Sequence, residues 1–494
     1  MMISPNDLRL AKHFLICKKS LLDSLRCAAI AHWSERAFGP DLVIAHHPAL
    51  EVSRVSEGGV EVLSLGEVLD PRNPSQDTRE VISSLARTCT QFTDIERAIS
   101  WFGGRWLLLV RCGADSFAYH DAGGLRTLFR YERRGGGVLL ASHPSVFEAV
   151  SGLVRNESFV NDFLKGQHSG SWPVYALPFE HVVQMLPNRR MNLESFGIER
   201  YWPNNEMSPL GVGEAARTIA QLLQGMMAAC VARRKCFLPL SAGYDSRVLF
   251  ACAKPFREQI KYYTVAYPGI DAFDLRVPAT IGKQFRLDYR RLKMRRDADI
   301  DQVLSANVSD MFPQDSRFHA FTQGLEVRDG FCLVGLVSEV LRCFYYPDGQ
   351  HPDTLDGVAI AYRAGFRDNP VAVAAMSRWL EELPRSWVNP LDVFYWEHRV
   401  GVWASTGLTL RQPLYENIPP FNCRQLLELG LRVDVEVRKK PYHLHRAICQ
   451  EADPQTLQLG FNSEMAPKYF QVRRLVPARV KQILKRYVVR GRGL

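Results

Sequence analysis

Ser241, Gly243, Asp245 and Ser246 fall between the apolar run Phe237-Leu238-Pro239-Leu240 and a stretch that reads as a helix from Ser246 to Ala253. A strand that ends in a tight turn of small residues at a helix N-terminus presents consecutive backbone N–H groups, and such a turn binds anions. The hydroxyls of Ser241 and Ser246 add donors for phosphate oxygens. Asp245 would repel a bare phosphate, so its presence makes sense with Mg²⁺ bridging the carboxylate to the phosphates. No Gly-Lys-Ser/Thr closes the loop, which sets it apart from the Walker A form. The competing reading is an N-capped turn with Asp245 or Ser246 as cap. A cap explains one polar residue of this set and leaves the others unexplained.

The elements that must position this loop have a strand–helix rhythm. Cys236 to Leu240, Ile260 to Ala266 and Cys332 to Leu336 read as buried strands, and Leu275 to Phe285 reads as a helix. Alternation of that kind implies a parallel α/β sheet. The helix before it, Val212 to Arg234, carries apolar residues at Ala215, Ile219, Leu222, Leu223 and Met226, one helical face. Helical patterns dominate from Asn369 to Cys449. The first 200 residues have another texture. Val60–Leu65, Trp106–Arg111, Ser116–His120, Leu125–Tyr131 and Gly137–Ala141 are short β-type runs, with helices expected at Asp77–Thr90 and Ser145–Leu153. Arg133-Arg134-Gly135-Gly136-Gly137 reads as a hairpin turn rather than a phosphate loop, because no helix start follows it. Tyr201-Trp202-Pro203-Asn204-Asn205 punctuates the chain like a domain boundary.

With 494 residues, two or three domains are expected. A hydrophobic fraction of 46% against 23% charged residues excludes a disordered chain. Of the net charge of +10, +8 lies in residues 471–494, so the body is nearly neutral and nucleic acid is not an expected partner. That tail, with Val476, Val480, Ile483 and Leu484 on one side of a helix over Leu475 to Val489, suits an anionic membrane surface or an acidic partner, or else docks on the body. The 11 cysteines show no CxxC pair, which argues against zinc and a disulfide framework and suggests a cytoplasmic protein. His443 and His445 do not share a helical face, so a metal pair is not expected.

Ser241-Ala242-Gly243-Tyr244-Asp245-Ser246 resembles the Ser-Gly-Gly-x-Asp-Ser pyrophosphate loop of the ATP-pyrophosphatase superfamily, with Ala242 for the first glycine. His120-Asp121-Ala122-Gly123-Gly124-Leu125-Arg126-Thr127-Leu128-Phe129 is similar to the Arg-Asp-x-x-Gly-x-x-Pro-Leu-Tyr stretch of asparagine synthetase glutaminase domains. Phe102-Gly103-Gly104 before it, Leu139-Leu140-Ala141-Ser142-His143 after it and Leu186-Pro187-Asn188 with Arg200-Tyr201-Trp202 resemble further motifs in that family's order. Downstream, Asp274-Leu275 with Ala279 resembles an Asp-Leu-x-x-Ala helix start. Val334-Gly335-Leu336-Val337-Ser338-Glu339 resembles the second ATP motif, Ser-Gly-x-Gly-x-Asp-Glu.

The resemblance implies an N-terminal Ntn-hydrolase-like β-sandwich over residues 1–205. A parallel-sheet ATP-pyrophosphatase domain with a helical C-terminal part would follow over 206–470, then the basic tail. It implies ATP on Leu240 to Ser246, Val265 and Gly335, and Mg²⁺ on Asp245 and Glu339. For Glu339 the competing reading is a surface glutamate paired with Arg342. Arg399, Arg411 and Glu416 resemble the family's acceptor-pocket segment; a structural anchor is equally compatible with them. Trp396-Glu397-His398-Arg399 faces either substrate or a core with a buried ion pair.

Two departures bear on chemistry. The family's glutaminase uses an N-terminal cysteine after Met1 is removed; Met2 stands here, and Cys17 offers no α-amine. The family's catalytic lysine is missing from its usual segment, so Lys440 or Lys468 is expected to take its role. The expectation is an ATP-dependent ligase that activates a carboxylate as an acyl-adenylate and transfers it to an amine without using glutamine. β-Lactam synthetases and lasso-peptide macrocyclases follow that logic. The alternatives are amidation of a sugar or amino-acid carboxylate with free ammonia, and a non-catalytic nucleotide-binding relative.

Overall fold

A computed structural model describes residues 8–164, 171–204, 206–267, 270–293, 298–309, 330–352 and 354–461. Met2, Lys468 and the basic tail lie outside the described residues.

Among the described residues, twelve strands come before residue 201: β1 Phe14–Lys18, β2 Ser34–Phe38, β3 Leu42–His46, β4 Val52–Glu57, β5 Val60–Leu69, β6 Gly103–Cys112, β7 Asp115–His120, β8 Phe129–Glu132, β9 Val138–Ala141, β10 Val182–Gln184, β11 Arg189–Asn192 and β12 Ile198–Arg200. They form two antiparallel sheets, ordered β10-β8-β9-β1-β3-β2 and β12-β11-β7-β6-β5-β4. Strand periodicity explains the stacking. Phe14 and Ile16 of β1 join Leu63, Leu65, Leu107 and Leu109 in a core between the sheets, while Leu15 and Cys17 face the other way. On the far side of β5 and β6, Val62, Leu108 and Val110 pack on the helices Thr78–Thr88 and Phe92–Ile99. Val146 and Phe147 of the helix Pro144–Ser151 share the core beyond the first sheet. The result is four layers, helix, sheet, sheet, helix.

The expected strand from Leu125 begins only at Phe129. Asp121 holds the intervening loop, accepting from the amides of Leu125 (2.9 Å) and Arg126 (2.9 Å). The expected hairpin turn is present between β8 and β9. Gly136 and Gly137 take φ +89° and +86° there, a region glycine enters without a Cβ clash.

The later part is a parallel sheet of β13 Cys236–Pro239, β14 Ile260–Ala266, β15 Tyr289–Lys293, β16 Phe331–Leu333 and β17 Glu416–Ile418, in the order β15-β14-β13-β16-β17. The chain steps outward from β13 to β15 on one side and continues with β16 and β17 on the other. The strand order therefore reverses between β13 and β16. The helix Val212–Arg233 buries all five positions that the sequence marks as its apolar face. One core cluster runs from Leu15 through Met226 to Leu238 and Leu427, so the antiparallel and parallel parts share a core.

Candidate active site

In open α/β sheets, ligands bind beyond the C-terminal strand ends where the strand order reverses. Here the loop after β13 holds residues 240–243 and the loop after β16 holds 334–337, so both phosphate-type motifs flank that one crevice.

The first loop turns into the helix Tyr244–Cys252 with Gly243 as N-cap, two residues earlier than the sequence suggests. Its amides are paired, two within the loop and one to the helix Ala272–Gln284. Ser241 N donates to Ser246 Oγ (3.2 Å), Ala242 N to Asp274 Oδ1 (3.0 Å) and Gly243 N to Ser241 Oγ (3.1 Å). The two serine hydroxyls lie 2.9 Å apart. A phosphate on these three amides must exchange those partners, whereas the amides of the first helical turn are the ones a helix leaves without an intrahelical acceptor. Leu240 is fixed by its amide to Tyr263 O (2.8 Å). Val265 sits near the C-terminal end of β14, the neighbouring strand. Tyr244 stacks on Phe461 with ring centroids 4.1 Å apart, and Arg247 donates to the carbonyls of Thr456, Leu459 and Gly460. The chain's return past residue 454 thus braces the loop's helix from behind.

The second loop meets the first at Asp245. A Cβ added to Gly335 would lie 2.9 Å from Asp245 Cβ, so a glycine lets the loops approach this closely. Val337 has φ +79° although it is β-branched, a conformation L-residues rarely take. This kink delivers Ser338 and Glu339. Ser338 Oγ donates to Asp245 Oδ1. Arg342 Nη2 lies 3.4 Å from Asp245 Oδ2 and 3.5 Å from Glu339 Oε1, so one guanidinium serves two carboxylates. The Glu339–Arg342 pair foreseen as a surface feature therefore exists, but in a crevice. Burial and the neighbouring Asp245 carboxylate push the Glu339 carboxyl up to about 7. Glu339 Oε2 is buried with no hydrogen-bond partner. His445 Nε2 stands 3.8 Å from Asp245 Oδ1, and burial, with Arg342 beside it, holds this imidazole down at about 4.

This donor set fits Mg²⁺: two carboxylates, one of them with an orphaned oxygen, and a hydroxyl offer only hard oxygen atoms. Among the described residues no group of three or more His, Cys, Asp or Glu is gathered for a metal, so phosphate oxygens and water would have to complete the shell.

The expected acceptor residues separate. Arg399 lies on the wide-turn helix Tyr395–Ala404, 3.8 Å above the Trp403 ring and near enough to Glu339 to act on its charge. Glu416 is elsewhere. It opens β17 and is buried, its oxygens taken by Arg105 (3.1 Å), Arg126 (2.9 Å) and Lys12 (3.3 Å). Arg411 ends the helix Ser405–Arg411 and hydrogen-bonds Tyr415. Lys440 is exposed. Glu397 and His398 are core. Glu397 pairs with Arg200 and accepts from Trp379 Nε1 (2.9 Å), and His398 stacks on Phe394 at 5.0 Å.

Sequence reasoning did not single out Ser338 or His445 for the crevice, and it took Arg342 only as a surface partner. The i, i+3 spacing of Glu339 and Arg342 was the available signal.

No protein-family model matches the chain, and no curated protein matches it. Among solved structures it is similar to glutamine phosphoribosylpyrophosphate amidotransferase from B. subtilis complexed with ADP and GMP: 12% identity, 67% of this chain, 70% of that chain, TM-score 0.24. It is also similar to an allosteric regulatory enzyme of purine biosynthesis: 11% identity, 67% and 70% coverage, TM-score 0.24. Likenesses this loose decide neither fold nor function.

Proposed function

We propose that the chain is an ATP-dependent carbon–nitrogen ligase of asparagine synthetase-like type. In this reading a degenerate, Ntn-hydrolase-like glutaminase domain spans residues 1–205, an ATP-pyrophosphatase domain spans 206–470, and a basic tail for an anionic surface or partner spans 471–494. The observation that carries it is the crevice between β13 and β16, where Asp245 from one phosphate-type loop and Glu339 from the other share Arg342. The φ of Val337 adds support. This residue occupies the second glycine position of the Ser-Gly-x-Gly-x-Asp-Glu pattern and keeps a backbone that glycine favours.

Asp245 and Glu339 would hold Mg²⁺, which when bound neutralises phosphate charge and makes the α-phosphorus more electrophilic. The first turn of the helix Tyr244–Cys252 would hold the β- and γ-phosphates through its amides. A substrate carboxylate oxygen attacks the α-phosphorus, the bond to the bridging oxygen breaks, and pyrophosphate leaves with that electron pair. An amine nitrogen then attacks the acyl carbon, the carbon–oxygen bond to AMP breaks, and the amine gives up a proton to water. Arg399 would steer the acyl substrate. Glutamine is not the nitrogen source in this reading: Cys17 is buried in β1, its thiol pushed up to about 11 by burial, which keeps it from acting as a thiolate.

One feature favours a nucleotide binder without turnover: the amides of residues 241–243 are already paired, with Ser246, Asp274 and Ser241. Pyrophosphate–ATP exchange with panels of amino acids, peptides and sugar acids separates the two. Exchange driven by one acid class, and lost in Asp245→Asn, is the expected result. ATP binding without exchange for any acid would leave the binder. No ATP binding would remove both.

A further inference from the structure

The family's lysine is absent from its segment, and neither substitute is a described feature of the crevice: Lys440 is exposed and Lys468 lies outside the described residues. We infer that Arg342 is the cation that receives the nucleotide's phosphate charge, an inference that rests on the nucleotide reading above. Arg342 comes from the second motif's loop, its side chain only 14% exposed, and its guanidinium lies over the Tyr442 ring at 5.0 Å. Its contacts to Asp245 and Glu339, at 3.4 and 3.5 Å, are long for charge-assisted hydrogen bonds, which run near 2.7–2.9 Å. Arg72 on Asp70 shows what a committed fork looks like in this chain, with two contacts of 2.9 Å. The Nε of Arg342 is buried with no hydrogen-bond partner. The nearby Arg247 differs in its terminal nitrogens, Nη1 and Nη2, which are committed to three backbone carbonyls at 2.7–3.2 Å.

Arg342 is therefore a cation held at the crevice by loose electrostatic contacts. Its partners are the two carboxylates that suit a divalent cation. Once that cation neutralises them, their hold on the guanidinium weakens, and the planar fork of arginine matches phosphate oxygens in pairs. Tyr442 supports the cation from its ring face.

The test measures binding by titration calorimetry on the full chain, with Mg²⁺ present, using ATP, inorganic pyrophosphate and adenosine as probes. Arg342→Met should weaken ATP and pyrophosphate at least tenfold and leave adenosine within twofold. Arg342→Lys should recover part of the ATP affinity. ATP affinity equal to wild type in a folded Arg342→Met protein overturns the inference. So does tighter Mg²⁺–ATP binding, which would make Arg342 a competitor for the metal position. Should Arg342→Met fail to fold, Arg342→Lys decides alone. Weaker pyrophosphate binding with unchanged adenosine supports the fork, and unchanged pyrophosphate binding overturns it. A wild-type protein that binds no nucleotide fails the nucleotide reading and this inference with it. Normal ATP binding with an indifferent Arg342→Met fails this inference alone.

Discussion

The charge cluster around Glu416 and the one around Asp245 are built on opposite principles. Around Glu416, Arg105 spends every guanidinium nitrogen: Nε on Leu125 O, Nη1 on Glu416, Nη2 on Thr409 and Gln412. Arg126 gives Nη1 to Gln412 and Nη2 to Glu416, its Nε alone left without a partner, and Lys12 closes the other carboxylate oxygen, so both oxygens of Glu416 are taken. Around Asp245, by contrast, the contacts to Arg342 are long and one Glu339 oxygen has no partner. A saturated cluster holds parts of a fold together. An unsaturated one is maintained against its own electrostatics, as functional sites commonly are. Glu416 therefore binds the antiparallel part to the parallel part, and the resemblance that placed it in an acceptor pocket is answered by a structural anchor.

The largest expected effect breaks the saturated cluster. Glu416→Ala leaves Lys12, Arg105 and Arg126 buried without their carboxylate, and removing one partner of such a set costs about 3–5 kcal/mol. Urea unfolding should show that loss. A change below about 1 kcal/mol would mean the cations relax to water and the cluster is not an anchor.

Acid tests the same cluster more gently. Despite burial, Arg126, Lys12 and Arg105 hold the Glu416 carboxyl down at about 2, below its ordinary value of 4.5. The fold favours the ionised form, so this contribution is complete above pH 4.5 and is lost as pH falls towards 2. A shift of that size is worth roughly 3 kcal/mol. Melting temperature should fall across this window in the wild type and fall less steeply in Glu416→Gln. Parallel slopes would assign the acid sensitivity to other carboxylates.

What was legible in the sequence divides along the same line. The loop at 241–246 is a local event, strand, small residues, helix, and all its ingredients are adjacent. The helix starts that slipped did so for local reasons too: Asp271 caps the helix expected from Leu275, which begins at Ala272. The saturated cluster was illegible because the partners of Glu416 lie 404, 311 and 290 residues away. No periodicity encodes such a meeting. Glu397 and His398 were undecidable in the sequence for a similar reason, since Arg200 and Trp172 reach them from nearly 200 or more residues earlier. The strand Phe14–Lys18 was missed because its four-residue apolar run, Phe14 to Cys17, lacks alternation when both of its faces are buried.

Val337 sharpens the comparison from the side of the backbone. At ordinary positions alanine is more stable than glycine, since glycine loses more freedom on folding. At φ +79° the order should reverse, because a Cβ there costs about 1–2 kcal/mol. Both substitutions remove the same buried apolar side chain apart from one methyl, so comparing Val337→Gly with Val337→Ala isolates the conformational cost. Val337→Gly should be the more stable of the two by about 1 kcal/mol. The reverse order would mean the loop adopts another backbone in solution.

The smallest expected effect on stability belongs to the residue with the largest expected effect on activity. Asp245→Asn keeps the shape that Ser338 and Gly335 pack against and removes one of two neighbouring negative charges. Removing the charge costs its attraction to Arg342, long and partly solvated, and relieves its repulsion of Glu339. The two nearly cancel, so unfolding free energy should move by less than about 1 kcal/mol, typical of weakly coupled pairs. The same substitution at a saturated cluster would leave buried cations unbalanced. If Asp245→Asn instead lost several kcal/mol, Asp245 would be a structural anchor like Glu416, and loss of exchange activity in that variant would report unfolding rather than a missing metal ligand.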